Sequence, residues 1–132
     1  MIVSFAWTTW ALLALRKKRT RRYWTESYAR RFLKGSTHQA YDRPARVHGH
    51  QVGIITLAHT PYLQPTSQMT EEDYDLEGLK YMEEVGLSIP SRVVDGKKLP
   101  AMHPRQFFEA WRKEDNTLFV VEFEFSPLER LI

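Results

Sequence analysis

The 132-residue chain contains no cysteine. That excludes a disulfide scaffold, a thiolate metal site, a catalytic thiol and thiol redox chemistry. Glycine is scarce, at six residues, and none forms a glycine-rich phosphate loop, so nucleoside triphosphate chemistry is not expected. No G-x-S-x-G elbow is present, which argues against a Ser-His-Asp hydrolase. Internal repeats and low-complexity segments are missing too. The longest apolar stretch, Ile2 to Leu15, is too short to span a bilayer and is interrupted by Ser4, Thr8 and Thr9. Its basic residues follow it, the reverse of a secretory signal. A cytoplasmic protein without membrane association is expected, folded as one domain over residues 1–132.

What the chain does have is charge asymmetry. Residues 1–46 carry eleven Lys/Arg against two acids, a net +9, and residues 47–132 carry eight against fourteen, a net −6. The basic residues between Arg16 and Arg22 repel one another, which predicts a polyanionic partner. The alternative is that they face acidic parts of the same fold. Five histidines (38, 48, 50, 59 and 103) include the pair His48 and His50, but no third ligand has suitable spacing, so neither metal nor cofactor is expected.

Hydrophobic patterning predicts strands at 2–7, 17–24, 50–62 and 118–125. Helices are expected at about 9–16, 26–34, 74–85 and 104–113, with Thr25 and Thr70 as caps and Gly35 and Gly86 as terminators. Asp73, three residues after Thr70, approximates a capping box. Trp10, Leu13 and Ala14 are expected to face the core, as is Trp111. Segments 36–49 and 63–68 read as loops, and 87–102 as an irregular excursion or small hairpin. Short helices alternating irregularly with strands indicate an α+β fold built on a small curved sheet or half-open barrel.

Two groups of residues invite a functional reading. Trp24 follows a basic, aromatic run and is a candidate for stacking on an unpaired base. Lys17 and Thr20 flank a helix-to-strand turn and can converge on one pocket. Neighbouring cations lower the pKa of Lys17, favouring a base that deprotonates the Thr20 hydroxyl, whereas a nearby Glu77 raises it. The sequence does not choose between these roles.

In this setting Ser4-Phe5-Ala6-Trp7-Thr8-Thr9, Ala11-Leu12-Leu13-Ala14 and Lys17-x-x-Thr20-x-Arg22 resemble the opening of the ASCH domain. Gln51–Leu57 with Pro61-Tyr62 is similar to its central strand. Asp75-Leu76-Glu77-Gly78-Leu79 is similar to its acidic element, and Phe107-Phe108-x-x-Trp111 with Val120–Phe125 to its last helix and strand. The resemblance covers nearly the whole chain in order. It implies a PUA-like mixed β-barrel with flanking short helices and a cleft that binds RNA or a nucleoside or nucleotide. Arg16, Lys18, Arg19 and Arg21 would contact phosphate, Arg22 would read the ligand with Thr20 and Glu77, and Trp24 would stack. Affinity for single-stranded RNA would then fall steeply with salt. One ASCH branch hydrolyses N4-acetylcytidine, which would make Lys17, Thr20 and Glu77 catalytic; ribonuclease action by the same residues is a further alternative. Leu15 stands where the family usually has glycine, which predicts a different turn before Lys17.

Overall fold

The computed structural model describes residues 1–128. The strands are β1 (Ile2–Ser4), β2 (Arg19–Arg22), β3 (Thr37–Tyr41), β4 (Gln51–Leu57), β5 (Tyr62–Pro65), β6 (Arg92–Val94), β7 (Lys97–Leu99) and β8 (Thr117–Pro127). The helices are α1 (Thr9–Leu13), α2 (Glu26–Ala29), α3 (Glu71–Leu76), α4 (Leu79–Glu84) and α5 (Pro104–Glu114). This is the α+β fold with a curled, half-open sheet that the patterning indicates, and it is consistent with the small barrel that the resemblance implies.

The main sheet runs β1-β3-β4-β8-β2, with β5 also on β8. β8 organises it. Phe123–Pro127 pairs with β4, whereas the first part of the strand pairs with β5 and with β2. A single strand shared in this way forces the sheet to curl. β1 and β2 end the path, and among the described residues no backbone ladder joins them. A side chain bridges that seam: Arg22 Nη2 donates to the Ser4 carbonyl at 2.6 Å.

Two apolar clusters flank the open seam. One lies inside the curl, with Val3, Phe5, Leu12, Phe32, Ile55, Leu57, Val121 and Phe123. The other joins the helices through Met69, Tyr74, Leu79, Met82, Ile89 and Phe108. Burial of each large side chain contributes about 1.5–3 kcal/mol.

Several elements differ from expectation. Segment 36–49 contains β3, which pairs parallel with β1 and antiparallel with β4. Its sequence, Thr-His-Gln-Ala-Tyr, has no valine, isoleucine or leucine to mark a strand, and its two neighbours supply the order. The expected strand 50–62 is two strands, β4 and β5, parted before Pro61, and β5 takes in residues expected as loop. Helix α2 is one turn; beyond it the Phe32 N–H reaches back only to the Ala29 carbonyl, a tighter i−3 bond.

Helix α1 presents the opposite face from the one predicted. Trp10 is 64% exposed, and Leu13 and Ala14 are also outside, whereas Ala11 and Leu12 are fully buried. Ala11 faces inward because it packs directly against Gly78, and only small residues permit that approach. The predicted helix 74–85 is likewise two helices, α3 and α4, broken at Glu77-Gly78. The expected Thr70–Asp73 cap does form: the Thr70 N–H donates to Asp73 Oδ2 at 2.9 Å.

Candidate functional site

The turn after α1 aims Lys17 inward. Arg16 and Lys17 both direct their N–H groups at the Ala11 carbonyl, and the Lys18 N–H is bound by Leu76 at the end of α3. Leu15 adopts φ +62° itself, so the left-handed turn forms without glycine. A leucine in this region costs about 1–2 kcal/mol, which the closed hydrogen bonds around it offset. The expectation of a different turn is therefore corrected.

Glu77 arrives from the other side. It ends α3, and Gly78 at φ +95° turns the chain into α4. A Cβ on Gly78 would lie 2.7 Å from the Ala11 Cβ. Gly78→Ala is therefore expected to cost about 2–3 kcal/mol and to displace Glu77, read as a lower urea midpoint at unchanged slope.

The three parts meet in a buried charge network. Lys17 Nζ donates to the Glu77 carbonyl at 2.7 Å and lies 3.4 Å from Glu77 Oε1. Arg21 Nη1 donates to Glu77 Oε2 at 2.6 Å, and its Nη2 contacts Gln64 Oε1 at 2.7 Å and Asp73 Oδ1 at 3.1 Å. Lys17 and Glu77 are each 3% exposed and Thr20 is 4% exposed. Arg22 Nε donates to Thr20 Oγ1 at 3.1 Å, which occupies one lone pair and leaves the hydroxyl proton free for an acceptor.

Burial pushes the Lys17 ammonium down to about 8; Arg22 and Arg21 add to the shift, and Glu77 opposes it. Burial outweighs the nearest carboxylate, which resolves the two opposed influences seen in the sequence. Burial also holds Arg22 below the ordinary arginine value, with Glu77 opposing. For Asp73, burial raises the carboxyl, but the Thr70 N–H, Arg21 and Arg19 together hold it below the usual carboxylate range.

This network floors a cavity of about 360 Å³ at the seam between β1 and β2. Lys17, Thr20, Arg21, Arg22 and Glu77 supply its polar side, while Phe5, Trp7, Leu79, Phe107 and Trp111 supply an apolar wall. The volume falls within the range of small-ligand sites, and a few convergent polar groups on an apolar wall are their usual composition. Trp111, expected as core, is half-buried: it packs against the helical cluster and also lines this cavity. Sequence reading missed the wall, together with Asp73 and Gln64, because chain segments distant from the Lys17–Arg22 run contribute them. Phe107-x-x-x-Trp111, one helical turn apart on α5, was the available signal.

The other candidates are placed elsewhere. Arg16 binds Asp75 and Glu84 and lies over Tyr81. Arg19 binds Asp73 and Glu122. Lys18 is exposed, beside a separate hollow shared with Glu124 and Phe125. Trp24 stacks on Phe32 at 4.3 Å between centroids and does not line the cavity. The repulsion within Arg16–Arg22 is thus relieved largely by carboxylates of the same fold rather than requiring an external polyanion. Among the described residues, no cluster of three metal-ligating side chains occurs, and no helix is long and apolar enough to cross a membrane.

No family model matches the chain, and comparison with curated proteins finds no relative. Among solved structures, the crystal structure of EF3133 from Enterococcus faecalis V583, assigned to the DUF984 family, superposes with a TM-score of 0.52. The match covers 92% of this chain and 71% of that one. The two proteins share a fold. At 17% identity, the similarity extends to the fold alone.

Proposed function

We propose that the cavity binds an unpaired nucleobase, carried by a nucleoside, a nucleotide or single-stranded RNA, in the manner of an ASCH domain. The observation that carries this reading is an aromatic wall facing a fixed hydrogen-bonding floor. Trp7, Phe107 and Trp111 line the cavity on one side, while Lys17, Thr20 and Arg22 bring donors and Glu77 an acceptor to the other. Stacking on such a wall is worth about 1–3 kcal/mol per base. The Lys17-x-x-Thr20-x-Arg22 resemblance points to the same residues.

This arrangement changes the expected salt dependence. Arg16, Arg19 and Arg21 already have carboxylate partners. With few phosphate contacts left, log affinity for single-stranded RNA should fall with log salt at a slope of about −1 to −2, at −0.7 per phosphate. Calorimetric titrations with nucleosides and short RNA between 50 and 200 mM salt test it. Saturable nucleoside binding with that shallow slope is expected; a steep slope with no nucleoside binding overturns the cavity reading.

A second reading, hydrolysis of an acylated nucleoside, is favoured by the lowered pKa of Lys17 in a cavity that Thr20 and Glu77 also line. In such a reaction water adds to the acyl carbon, the C–N bond breaks, and the amine leaves with a proton, giving a carboxylic acid and the free nucleoside. Deacetylation of N4-acetylcytidine by the wild type, abolished in Lys17→Ala and Glu77→Gln, supports it. Activity surviving both substitutions rejects it.

A further inference from the structure

A second hollow, of about 300 Å³, adjoins the cavity and is lined by Ile2, Ser4, Pro44, Ala45 and Arg46. Ser4 and Pro44 are walls of both. Two arginines flank the shared wall. Arg22 lies on the cavity side, tied to the Ser4 carbonyl, and Arg46 lies on the other side. Neither has a carboxylate within salt-bridge distance among the described residues, as is also the case for Arg31, Arg43 and Arg92, whereas Arg16, Arg19, Arg21, Arg30, Arg105 and Arg112 each do.

The loop carrying Arg46 is a fixed platform. Its ends are joined by the Asp42 N–H to the His50 carbonyl, and the Val47 and Gly49 N–H groups both converge on the Pro44 carbonyl. At Gly49 a Cβ would lie 1.9 Å from the Arg43 carbonyl oxygen, so the loop closes on itself. Its one acid, Asp42, is occupied by the His50 N–H at 2.7 Å. The loop therefore carries Arg43 and Arg46 against one carboxylate, that of Asp42, which interacts with Arg43 and leaves Arg46 unmatched.

We propose that this hollow is an anion subsite for the phosphate of the same ligand, so that the protein selects a nucleotide over a free nucleoside. The proposal rests on the cavity reading above. A base and sugar fill the cavity, and the phosphate leaves it past Ser4 and Pro44 to lie between Arg22 and Arg46. Guanidinium groups suit that role because their paired N–H donors match phosphate oxygens.

The test compares affinities of the four nucleosides, their 5′- and 3′-monophosphates and the corresponding dinucleoside monophosphates, for the wild type and for Arg46→Ala. Arg46 is exposed, so its removal spares the fold. A monophosphate is expected to bind at least tenfold tighter than its nucleoside in the wild type, with the ratio falling below about threefold in Arg46→Ala. An advantage shared by the dinucleoside monophosphates assigns the hollow to an RNA diester, and one confined to monophosphates assigns it to a free nucleotide. Equal binding of nucleoside and nucleotide, or a preference that survives Arg46→Ala, overturns the subsite and leaves the cavity reading standing. Failure of every nucleoside and nucleotide to bind removes both.

Discussion

Replacing Glu77 by alanine is expected to lower the unfolding free energy by about 3–5 kcal/mol, the cost of stranding buried charges without their counter-ion. Lys17 and Arg21 both rely on this carboxylate, at 3.4 Å and 2.6 Å. Lys17 would keep the Glu77 carbonyl, and Arg21 would keep Asp73 and Gln64, but the balancing negative charge would be gone. Such a loss is a large fraction of the stability of a domain this size. Urea unfolding at pH 7 measures it. Glu77→Gln, which preserves shape and one acceptor, should lose less. A loss below about 1 kcal/mol in Glu77→Ala would mean that the network is solvated and that the cavity floor is not held by it.

The second large effect is a pH dependence. Lys17 has its pKa lowered in the folded protein, from an ordinary 10.5 to about 8. Between those values the unfolded chain binds more protons than the folded one, so stability rises with pH through this window. Below about pH 8 the folded protein carries the full penalty of a buried ammonium, and above about 10.5 it carries none. The gain across the window is about 3 kcal/mol. The difference between wild type and Lys17→Met isolates it, because all other titrations are common to both. The same proton sets the rate if the site hydrolyses acylated nucleosides with Lys17 as base: the rate should rise about tenfold between pH 7 and pH 9, as the neutral fraction rises from about a tenth to about nine-tenths. A stability difference that does not change between pH 8 and 10.5 would place the Lys17 ammonium in a solvated environment.

That Lys17, Thr20 and Glu77 line one cavity could be read in the sequence, the first two from a helix-to-strand turn and Glu77 from the motif that resembles the ASCH domain. The partners of that motif could not. Asp73 follows a cap signal that says nothing about Arg19 and Arg21, and Gln64 sits in a stretch without strand periodicity. Charge repulsion in Arg16–Arg22 was visible, but its relief by Asp75, Glu84 and Glu122 depends on pairings between distant segments. Local pattern also failed where packing overrode it. Trp10 looked like a core residue by helical spacing, yet the close approach of Ala11 to Gly78 turns it outward. The four tryptophans illustrate the limit. Spacing placed Trp10 and Trp111 on helices but Trp7 at the end of a strand over 2–7, where the strand stops at Ser4 and Ala6–Thr8 form a 3-10 turn. Only packing of that turn against Phe107 of α5 decided that Trp7 and Trp111 would share a wall.

Those same tryptophans give the most direct test of the cavity. Their four indole N–H signals can be followed in a two-dimensional proton–nitrogen spectrum, assigned by single Trp→Phe substitutions. Addition of a nucleoside 5′-monophosphate is predicted to shift the signals of Trp7 and Trp111 saturably and to leave those of Trp10 and Trp24 in place. Shifts at Trp24 or Trp10 instead, or no shift at millimolar ligand, would contradict a base seated between the aromatic wall and the Lys17–Glu77 floor.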